Sequence, residues 1–338
     1  MPRRRLVLAI LLSLTVATAY VACTSPVQVV AGNTVDLGIE DGAARLVLIG
    51  DSGTFGPDTG SCVPTTQVEP LPERCRDDLL ASIADEEADA ILALGDLVYE
   101  AGPRCPGGKL TAAARDELDV LLGELADRTN TPLLPVLGNH DVAQSVTGNA
   151  ASEACYLLWA AERDDVFLPE RNYVIDAGPL RMVAMDTNRS LDRRFATDLM
   201  ADLDAIDAPW TAYAGHHVWK TYFDKQAENH GPRFSDVLGE RPDLWLNGHA
   251  HLLQFGVYDG VAAVTSGASG KLRLRQECEG AACASWDGLA FAASQYGYAV
   301  LDVTEFSARV TFKDVQGDPL FAWERSLDDP EGLILSTP

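Results

Sequence analysis

Basic residues are scarce in this chain of 338 residues, which contains 26 lysines and arginines against 50 aspartates and glutamates. The resulting formal net charge of −24 repels the phosphates of nucleic acids, so no nucleic-acid partner is expected. The same charge does little to attract a small anionic ligand. A site for such a ligand therefore needs local positive charge, which bound metal ions can supply.

Long hydrophobic runs are also missing, apart from one near the N-terminus. The apolar residues 6–19 follow three arginines; the run is too short for a membrane span but has the length of a signal-peptide core. We therefore predict that residues 1–22 are a signal peptide and that the protein is exported. The sequence leaves two alternatives for where this signal peptide ends. Ala17 and Ala19 match a simple cleavage site, whereas the residues up to Cys23 resemble the lipobox of bacterial lipoproteins.

Cysteine is infrequent, and its odd number of seven is informative. In an exported protein, lipidation of Cys23 accounts for one cysteine and leaves six for disulfides. Among the many possible connectivities, sequence proximity favours the pairs Cys62–Cys75, Cys278–Cys283 and, by remainder, Cys105–Cys155. Cleavage after Ala19 would instead leave one free thiol. We favour the lipidated form, which places the protein in the periplasm or on the cell surface, attached to the membrane through Cys23.

Histidine is rare, with six residues in the whole chain, and its positions follow a pattern. None lies in the segments with helical periodicity, which are residues 76–87, 111–128 and 192–207. Most histidines instead follow short apolar runs of β type. Six such runs end in a glycine or a polar cluster, at residues 46–49, 90–94, 133–137, 182–185, 210–214 and 244–246.

These runs are apolar at nearly every position, as in strands that are buried on both faces because helices cover the sheet. The sequence therefore predicts an α/β fold. Three further strands, at residues 298–303, 308–313 and 320–323, indicate a β-meander near the C-terminus. We predict a linker with one edge strand at residues 23–44, a single catalytic domain at 45–330 and a tail at 331–338.

Polar residues gather at the carboxyl ends of the predicted strands, where α/β folds place their sites. They are Asp51, Asp96, Asn139, His140, His216, His249 and His251. Carboxylates, an amide oxygen and imidazoles are ligands of first-row transition metals. His249 and His251 are two residues apart and face the same way if the turn is extended. The sequence therefore predicts a metal centre.

The motifs at these strand ends resemble those of the calcineurin-like metallophosphoesterases. They are Asp51-x-Gly53, Gly95-Asp96-x-x-Tyr99, Gly138-Asn139-His140, Gly215-His216 and Gly248-His249-x-His251. Ordinary members of that superfamily have Asp-x-His at the first motif, but this chain has Gly53 there and offers Tyr99. That exchange, together with the sequence around His216, His230 and His249, resembles the small, tartrate-resistant type of purple acid phosphatase.

The resemblance implies a four-layer fold, a β-sandwich flanked by helices, and a dinuclear centre. Fe(III) would be held by Asp51, Tyr99 and His251. Fe(II), Zn(II) or Mn(II) would be held by Asn139, His216 and His249, and Asp96 would bridge the two ions. A metal-bound hydroxide would be the nucleophile.

The resemblance also implies residues that act on the substrate. His140 would face the phosphate, Asp141 would orient His140, and His230 would be a second substrate-facing histidine and a candidate general acid. Adjacent residues of a strand face opposite sides, and His216 is the one that follows the glycine. We therefore predict that His216 is the ligand and that His217 packs nearby or supports the ligands.

The function implied is hydrolysis of phosphomonoesters, with a small molecule or a phosphoprotein as substrate. Two alternatives stay open: a phosphodiesterase or nucleotide phosphatase on the same site, and a non-catalytic surface-binding lipoprotein. The segment Gly50-Asp51-Ser52 also matches esterases with that signature, but those enzymes need an aspartate three residues before a histidine, and the chain has no such pair.

Overall fold

The computed structural model describes residues 27–30, 33–40, 42–58, 61–63, 68–142, 151–188, 193–222, 228–238, 242–273, 277–329 and 332–335. The predicted signal peptide and Cys23 lie outside these residues. Among the described residues, no helix has both the length and the apolar character needed to cross a membrane.

Six α-helices occur in the described residues: α1 Glu73–Ala84, α2 Ala112–Leu118, α3 Glu124–Thr129, α4 Ala151–Ala160, α5 Arg193–Asp204 and α6 Gly231–Leu238. A π-helical turn, Asp119–Gly123, joins α2 to α3. Short 3₁₀ turns lie at Pro106–Gly108 and Gly280–Cys283.

The strands in the first part of the chain are β1 Gln28–Val29, β2 Thr34–Asp36, β3 Ala43–Ile49, β4 Phe55–Gly56, β5 Val68–Pro72, β6 Ala90–Leu94 and β7 Leu133–Val136. Those in the middle of the chain are β8 Tyr173–Ala177, β9 Leu180–Met185, β10 Trp210–Gly215, β11 Lys220–Thr221, β12 Glu228–Asn229, β13 Leu244–Asn247, β14 Leu253–Tyr258 and β15 Val261–Ser266. The last are β16 Lys271–Arg273, β17 Cys278–Glu279, β18 Leu289–Ala293, β19 Gly297–Thr304, β20 Ser307–Asp314, β21 Pro319–Ser326 and β22 Leu333–Leu335.

Two mixed sheets form the centre of the fold. The seven-stranded sheet has the order β22-β21-β20-β19-β3-β6-β7, in which β3, β6 and β7 are parallel and the β19–β22 meander is antiparallel. The ten-stranded sheet has the order β1-β2-β8-β9-β10-β13-β15-β14-β18-β17, with β9, β10, β13 and β15 parallel. The parallel strands of each sheet carry the predicted site residues at their carboxyl ends.

Aromatic side chains join the inner faces of the two sheets. The ring of Phe255 on β14 lies 5.7 Å from that of Phe321 and 4.7 Å from that of Trp323, both on β21. Phe291 on β18 stacks on Phe321 with ring centroids 4.7 Å apart. Apolar burial of this kind is the main stabilising term of a fold, and here it holds one sheet against the other.

Helices cover the outer faces of both sheets. Leu79 and Ile83 of α1 pack in the same buried cluster as Leu92 of β6. On the other side, Phe234 of α6 stacks on Trp245 of β13 with ring centroids 4.5 Å apart. The predicted α/β fold with two sheets and flanking helices is therefore confirmed.

The six predicted apolar runs are all strands, namely β3, β6, β7, β9, β10 and β13, and the C-terminal meander is β19–β21. The segment predicted as a linker with one edge strand contains two strands, and the segment predicted as a tail contains one. β1 and β2 lie at the edge of the ten-stranded sheet, and β22 lies at the edge of the seven-stranded sheet. The domain boundaries themselves stay a prediction.

Three disulfides are present, Cys62–Cys75, Cys105–Cys155 and Cys278–Cys283. They are the pairs that sequence proximity favoured. Disulfides persist in oxidising compartments, so these three indicate an extracellular protein.

Candidate metal centre

The two sheets bring their strand ends to one place. Asp51, Asp96 and Asn139 follow β3, β6 and β7 of the seven-stranded sheet. His216 follows β10, and His249 and His251 follow β13. The predicted ligands therefore come from both sheets, and their side chains meet between the sheet ends.

Four of these residues have left-handed backbone conformations. The φ angles are 56° at Asp51, 54° at Asp96, 72° at His249 and 46° at His251. Such angles are uncommon for residues other than glycine and cost about 1–3 kcal/mol each. Strain of this kind is typical of functional sites. Here the left-handed conformation turns the chain abruptly at the end of the preceding strand.

The first group of side chains surrounds the Tyr99 hydroxyl. That hydroxyl lies 2.8 Å from Asp51 Oδ1, 2.8 Å from Asp96 Oδ2 and 3.1 Å from His251 Nε2. His251 Nε2 is also 3.1 Å from Asp51 Oδ1. This group contains the residues that the sequence predicts for the ferric site.

The second group consists of Asn139, His216 and His249. Asn139 Oδ1 lies 3.1 Å from His216 Nε2 and 3.0 Å from His249 Nδ1, and the two nitrogens are 3.2 Å apart. His216 is fully buried, as are Asp51 and Asp96. This group contains the residues that the sequence predicts for the divalent site.

Asp96 contacts both groups. Its Oδ2 accepts the hydrogen bond from Tyr99, while its Oδ1 is 3.3 Å from His216 Nε2. Ligand atoms of Asp51, Asp96 and His216 all lie within 4.8 Å of one another. The carboxylate of Asp96 is thus positioned to serve two ions at once.

Acceptor atoms converge in this cluster. His216 Nδ1 lies 2.9 Å from the carbonyl oxygen of Leu94, so the neutral ring, which is the form that binds a metal ion, carries its proton on Nδ1 and turns its Nε2 lone pair towards Asn139 Oδ1. In the other group, the single proton of Tyr99 serves two carboxylates. Converging acceptor atoms of this kind can be satisfied by a bound cation, and the set of oxygen and nitrogen atoms suits a transition metal.

The chemistry of the donor atoms also fits a metal site. Asp51, Asp96 and Tyr99 supply oxygen atoms, and His251 supplies Nε2 beside them. Oxygen and imidazole ligands of this kind bind transition metals. The residues present therefore fit a metal centre of Asp, Asn, Tyr and His ligands.

The electrostatics of the cluster also favour a cation. Burial opposes protonation of His216, but the Asp96 carboxylate outweighs burial and raises the pKa of His216 to about 10. Burial, together with Asp51 and Asp96, raises the pKa of the Tyr99 phenol well above its usual value. The site thus holds strong negative potential, and Tyr99 would ionise there only beside a positive ion.

His140 faces the cluster from the rim. Its Nδ1 is 2.6 Å from the carbonyl oxygen of Glu100, which fixes the proton on Nδ1 and leaves Nε2 as the free nitrogen. Nε2 is 3.9 Å from Asp96 Oδ2, and the His140 side chain keeps 22% of its surface exposed. A substrate can therefore reach this nitrogen.

Asp141 does not contact the ring of His140, contrary to the prediction that it orients that residue. Its Oδ1 accepts hydrogen bonds from the backbone amides of Leu97 and Val98 and from the hydroxyl of Tyr156. Its Oδ2 accepts one from the amide of Gly138. Asp141 is fully buried, and it ties the loop that carries Asn139 to the loop that carries Tyr99. Burial, together with the Asp96 charge, raises its pKa to about 6.

His217 lies next to the cluster and is held by Thr187. Its Nδ1 is 2.8 Å from Thr187 Oγ1, and its ring centroid is 4.7 Å from that of His249. Burial, with His216 and His249 nearby, lowers the pKa of His217 to about 2. His217 is thus a neutral residue that packs beside the predicted ligands.

His230 is joined to the cluster through Glu228, which sequence reasoning missed. Glu228 Oε2 is 3.2 Å from His230 Nε2 and 3.5 Å from His249 Nε2. Hydrogen bonds from these two imidazoles lower the pKa of Glu228 well below its usual value. The carboxylate holds the His249 proton on Nε2 and so turns the Nδ1 lone pair towards Asn139. The sequence signal was a carboxylate two residues before His230, which only the structure connects to His249.

The chain is similar in sequence to known proteins. The sequence profile of the family described as calcineurin-like phosphoesterase matches residues 44–253. Purple acid phosphatase 3 of Arabidopsis thaliana is 22% identical over 328 aligned positions, which cover 85% of this chain and 78% of that protein.

Two solved structures share the fold. The first is described as "GAP50 the anchor in the inner membrane complex of Plasmodium"; it is 14% identical, with a TM-score of 0.57 and coverage of 84% of this chain and 89% of the other. The second is PhoD, 12% identical, with a TM-score of 0.56 and coverage of 90% and 74%. At these identities the likeness concerns the fold alone.

Proposed function

This chain belongs to the calcineurin-like phosphoesterase family, and from that membership we propose that it is an exported acid phosphatase of the purple type, which hydrolyses phosphomonoesters. The observation that carries the proposal is the Tyr99 hydroxyl, which lies between the carboxylates of Asp51 and Asp96 and beside His251. A tyrosine oxygen among two carboxylates and an imidazole is a hard, anionic ligand set when ionised, and it favours a trivalent ion.

The proposed metal pair is Fe(III) with Fe(II), Zn(II) or Mn(II). Asp51, Tyr99 and His251 would hold Fe(III), Asn139, His216 and His249 would hold the divalent ion, and Asp96 would bridge them. Such a pair, when bound, lowers the pKa of a coordinated water and stabilises the charge of the attacking and leaving oxygens. It also supplies the positive charge that a chain of net charge −24 otherwise lacks for an anionic substrate.

The chain itself supplies the proton transfer. His140 Nδ1 donates to the carbonyl oxygen of Glu100, so Nε2 is the nitrogen that reaches the phosphate. Protonated at Nε2, His140 neutralises charge on the phosphate or donates its proton to the leaving alkoxide. His230, held by Glu228, is the second candidate for that proton.

Replacing His140 with alanine is expected to lower kcat by about 10²–10³-fold, because a positioned proton donor contributes roughly that much. Metal content and the visible spectrum are expected to stay as in the wild type, since His140 is not a proposed ligand. Steady-state kinetics and metal analysis of the same preparation check both parts. A variant with normal turnover would remove His140 from the reaction.

The most informative experiment on the proposal is metal analysis combined with a visible spectrum. Purified protein is expected to contain two metal ions per chain, at least one of them iron, and to absorb visible light through Tyr99. Tyr99→Phe is expected to abolish this absorption. Tyr222→Phe is the control, because among the described residues the Tyr222 hydroxyl donates only to the carbonyl oxygen of Asp287. A colourless wild-type enzyme with full activity would contradict the purple assignment and indicate a different metal pair.

A substrate panel separates the remaining alternatives. Phosphomonoesters are expected to be hydrolysed faster than diesters at every pH tested. The reverse order would favour the phosphodiesterase alternative on the same ligands. A protein that binds both metals but turns over neither class would favour the non-catalytic alternative.

The proposed location is the outer face of a membrane, with attachment through lipidated Cys23. Support comes from the three disulfides, which use all the other cysteines of the chain. Mass spectrometry of the mature N-terminus is the test. An unmodified N-terminus at Tyr20 would exclude the lipid anchor and leave simple secretion.

A further inference from the structure

Lys271 lies over the ring of Tyr99, one of the predicted ligands. Its ammonium nitrogen is 3.9 Å from the ring centroid. The Lys271 side chain is only 14% exposed, so its charge is largely shielded from water. A cation at this distance from an aromatic face is attracted to the ring, and the attraction grows when the pair is removed from solvent.

The backbone around Lys271 is fixed against the centre. Lys271 begins β16, which pairs with β5, and the next residue but one, Arg273, donates its amide to the carbonyl oxygen of His251 over 3.0 Å. Two residues before Lys271, the amide of Ser269 bonds to the carbonyl oxygen of Gly50. The backbone that carries Lys271 is therefore bonded to Gly50, the neighbour of Asp51, and to His251, so it is fixed beside two predicted ligands.

Glu100 is the other partner of Lys271, and it is bound less firmly. Its Oε1 is 2.8 Å from the Lys271 ammonium, but its side chain is 77% exposed. An exposed carboxylate is screened by water, and a surface ion pair contributes little by itself. The ammonium thus has two partners, the partly buried ring of Tyr99 and the exposed carboxylate of Glu100.

We infer that the Lys271 ammonium stabilises the negative charge that Tyr99 would carry as a ligand of iron. Through this stabilisation, Lys271 sets the energy of the visible absorption. The inference rests on the proposed function, because it requires Tyr99 to be bound to Fe(III) as tyrosinate. Visible light moves an electron from such a ring to the iron. An ammonium over the ring stabilises the ring electrons more than the electrons on the more distant ion, so it raises the energy of this transition.

Removing the lysine charge is therefore expected to shift the absorption to longer wavelength. For Lys271→Met the expected shift is on the order of 10 nm, from Coulomb's law at the dielectric constant of a protein surface. Glu100→Gln is expected to shift the absorption the opposite way, because it removes the negative charge that partly cancels the ammonium. The backbone carbonyl of Glu100, which binds His140, is retained in that variant.

Two further variants are controls for the charge. Lys271→Arg keeps the positive charge over the ring and is expected to restore most of the wild-type wavelength. Lys220→Met removes a lysine that lies over the rings of Tyr222 and Tyr258, neither of which is a predicted ligand, and it is expected to leave the absorption unchanged. Iron content is measured in every variant, so that a shift is compared only between iron-loaded proteins.

The outcomes separate this inference from the proposed function. A normal visible band in the wild type that is unchanged in iron-loaded Lys271→Met overturns the inference alone. A wild type without any such band overturns the tyrosinate assignment and the inference with it. If Lys271→Met fails to load iron, Glu100→Gln decides: a shift to shorter wavelength supports the inference, and no shift overturns it.

Discussion

Replacing Asp96 with asparagine is expected to remove both metal ions and to lower kcat/KM by about 10³-fold or more. The metal ions contribute several kcal/mol to transition-state stabilisation, and 10³-fold corresponds to about 4 kcal/mol. One carboxylate contacts both groups of ligands, through Oδ2 at Tyr99 and through Oδ1 at His216. The loss of one negative charge therefore weakens two sites, whereas the loss of any other single ligand weakens mainly one site.

The fold is expected to survive this substitution, because asparagine has the same shape. The amide of His140 donates to Asp96 Oδ1 over 2.9 Å, and an asparagine oxygen can accept the same hydrogen bond. Thermal unfolding with and without added metal measures the effect directly. Metal is expected to stabilise the wild type by about 2.7 kcal/mol for each bound ion at a free concentration near 100 times Kd, and to stabilise the variant far less.

Asp302→Asn is the matched control. Asp302 is on β19, outside both ligand groups, and its Oδ1 pairs with Arg45 over 2.9 Å. Since this ion pair is partly exposed, its loss is expected to change stability by less than about 1 kcal/mol and to leave metal content unchanged. Normal metal binding in Asp96→Asn would contradict the bridging role.

The positions of the predicted ligands could be read from the sequence because they follow from strand periodicity. A strand that is apolar at every position, such as β6 Ala90–Leu94, is buried on both faces, so the first polar residue after it must be at its end. Parallel strands of one sheet end at the same edge. Asp51, Asp96 and Asn139 were therefore expected to be neighbours before any distance was known.

The partners of those ligands could not be read from the sequence, because they depend on how the two sheets are packed together. Glu228 reaches His249 from a separate hairpin, β11–β12, and nothing in local periodicity relates these residues. For Asp141, the sequence analysis named a contact that the structure contradicts. The resemblance implied that Asp141 orients His140, but the Asp141 carboxylate instead accepts hydrogen bonds from the backbone amides of Leu97, Val98 and Gly138.

The contacts of Gly53 explain why this chain departs from the Asp-x-His pattern of the superfamily. Its amide donates to the carbonyl oxygen of Asp96, and its carbonyl accepts from the amide of Tyr99, each over 3.0 Å. A Cβ atom at position 53 would lie 2.2 Å from the carbonyl carbon of Leu97 and 2.3 Å from the amide nitrogen of Val98. Any side chain at position 53 therefore collides with the loop that carries Asp96 and Tyr99. In this chain, a histidine at the first motif and the close approach of Tyr99 exclude each other.

Gly53→Ala is expected to destabilise the fold by about 3 kcal/mol, because backbone atoms cannot yield to the added methyl group without moving the loop. The same movement carries Tyr99 away from Asp51, so the visible absorption is expected to be lost or strongly reduced even in folded, metal-loaded protein. Urea denaturation gives the change in stability, and the absorption spectrum gives the change at the centre.

Gly56→Ala is the control for this substitution, three residues further along the same segment. A Cβ atom there would meet the side chain of Pro70 at 3.1 Å, a contact that a small shift of that side chain relieves. Its effect on stability is expected to be well under that of Gly53→Ala, with the absorption unchanged. If Gly53→Ala kept both its denaturation midpoint and its absorption, then the place of Tyr99 in the centre would not depend on the missing side chain at position 53.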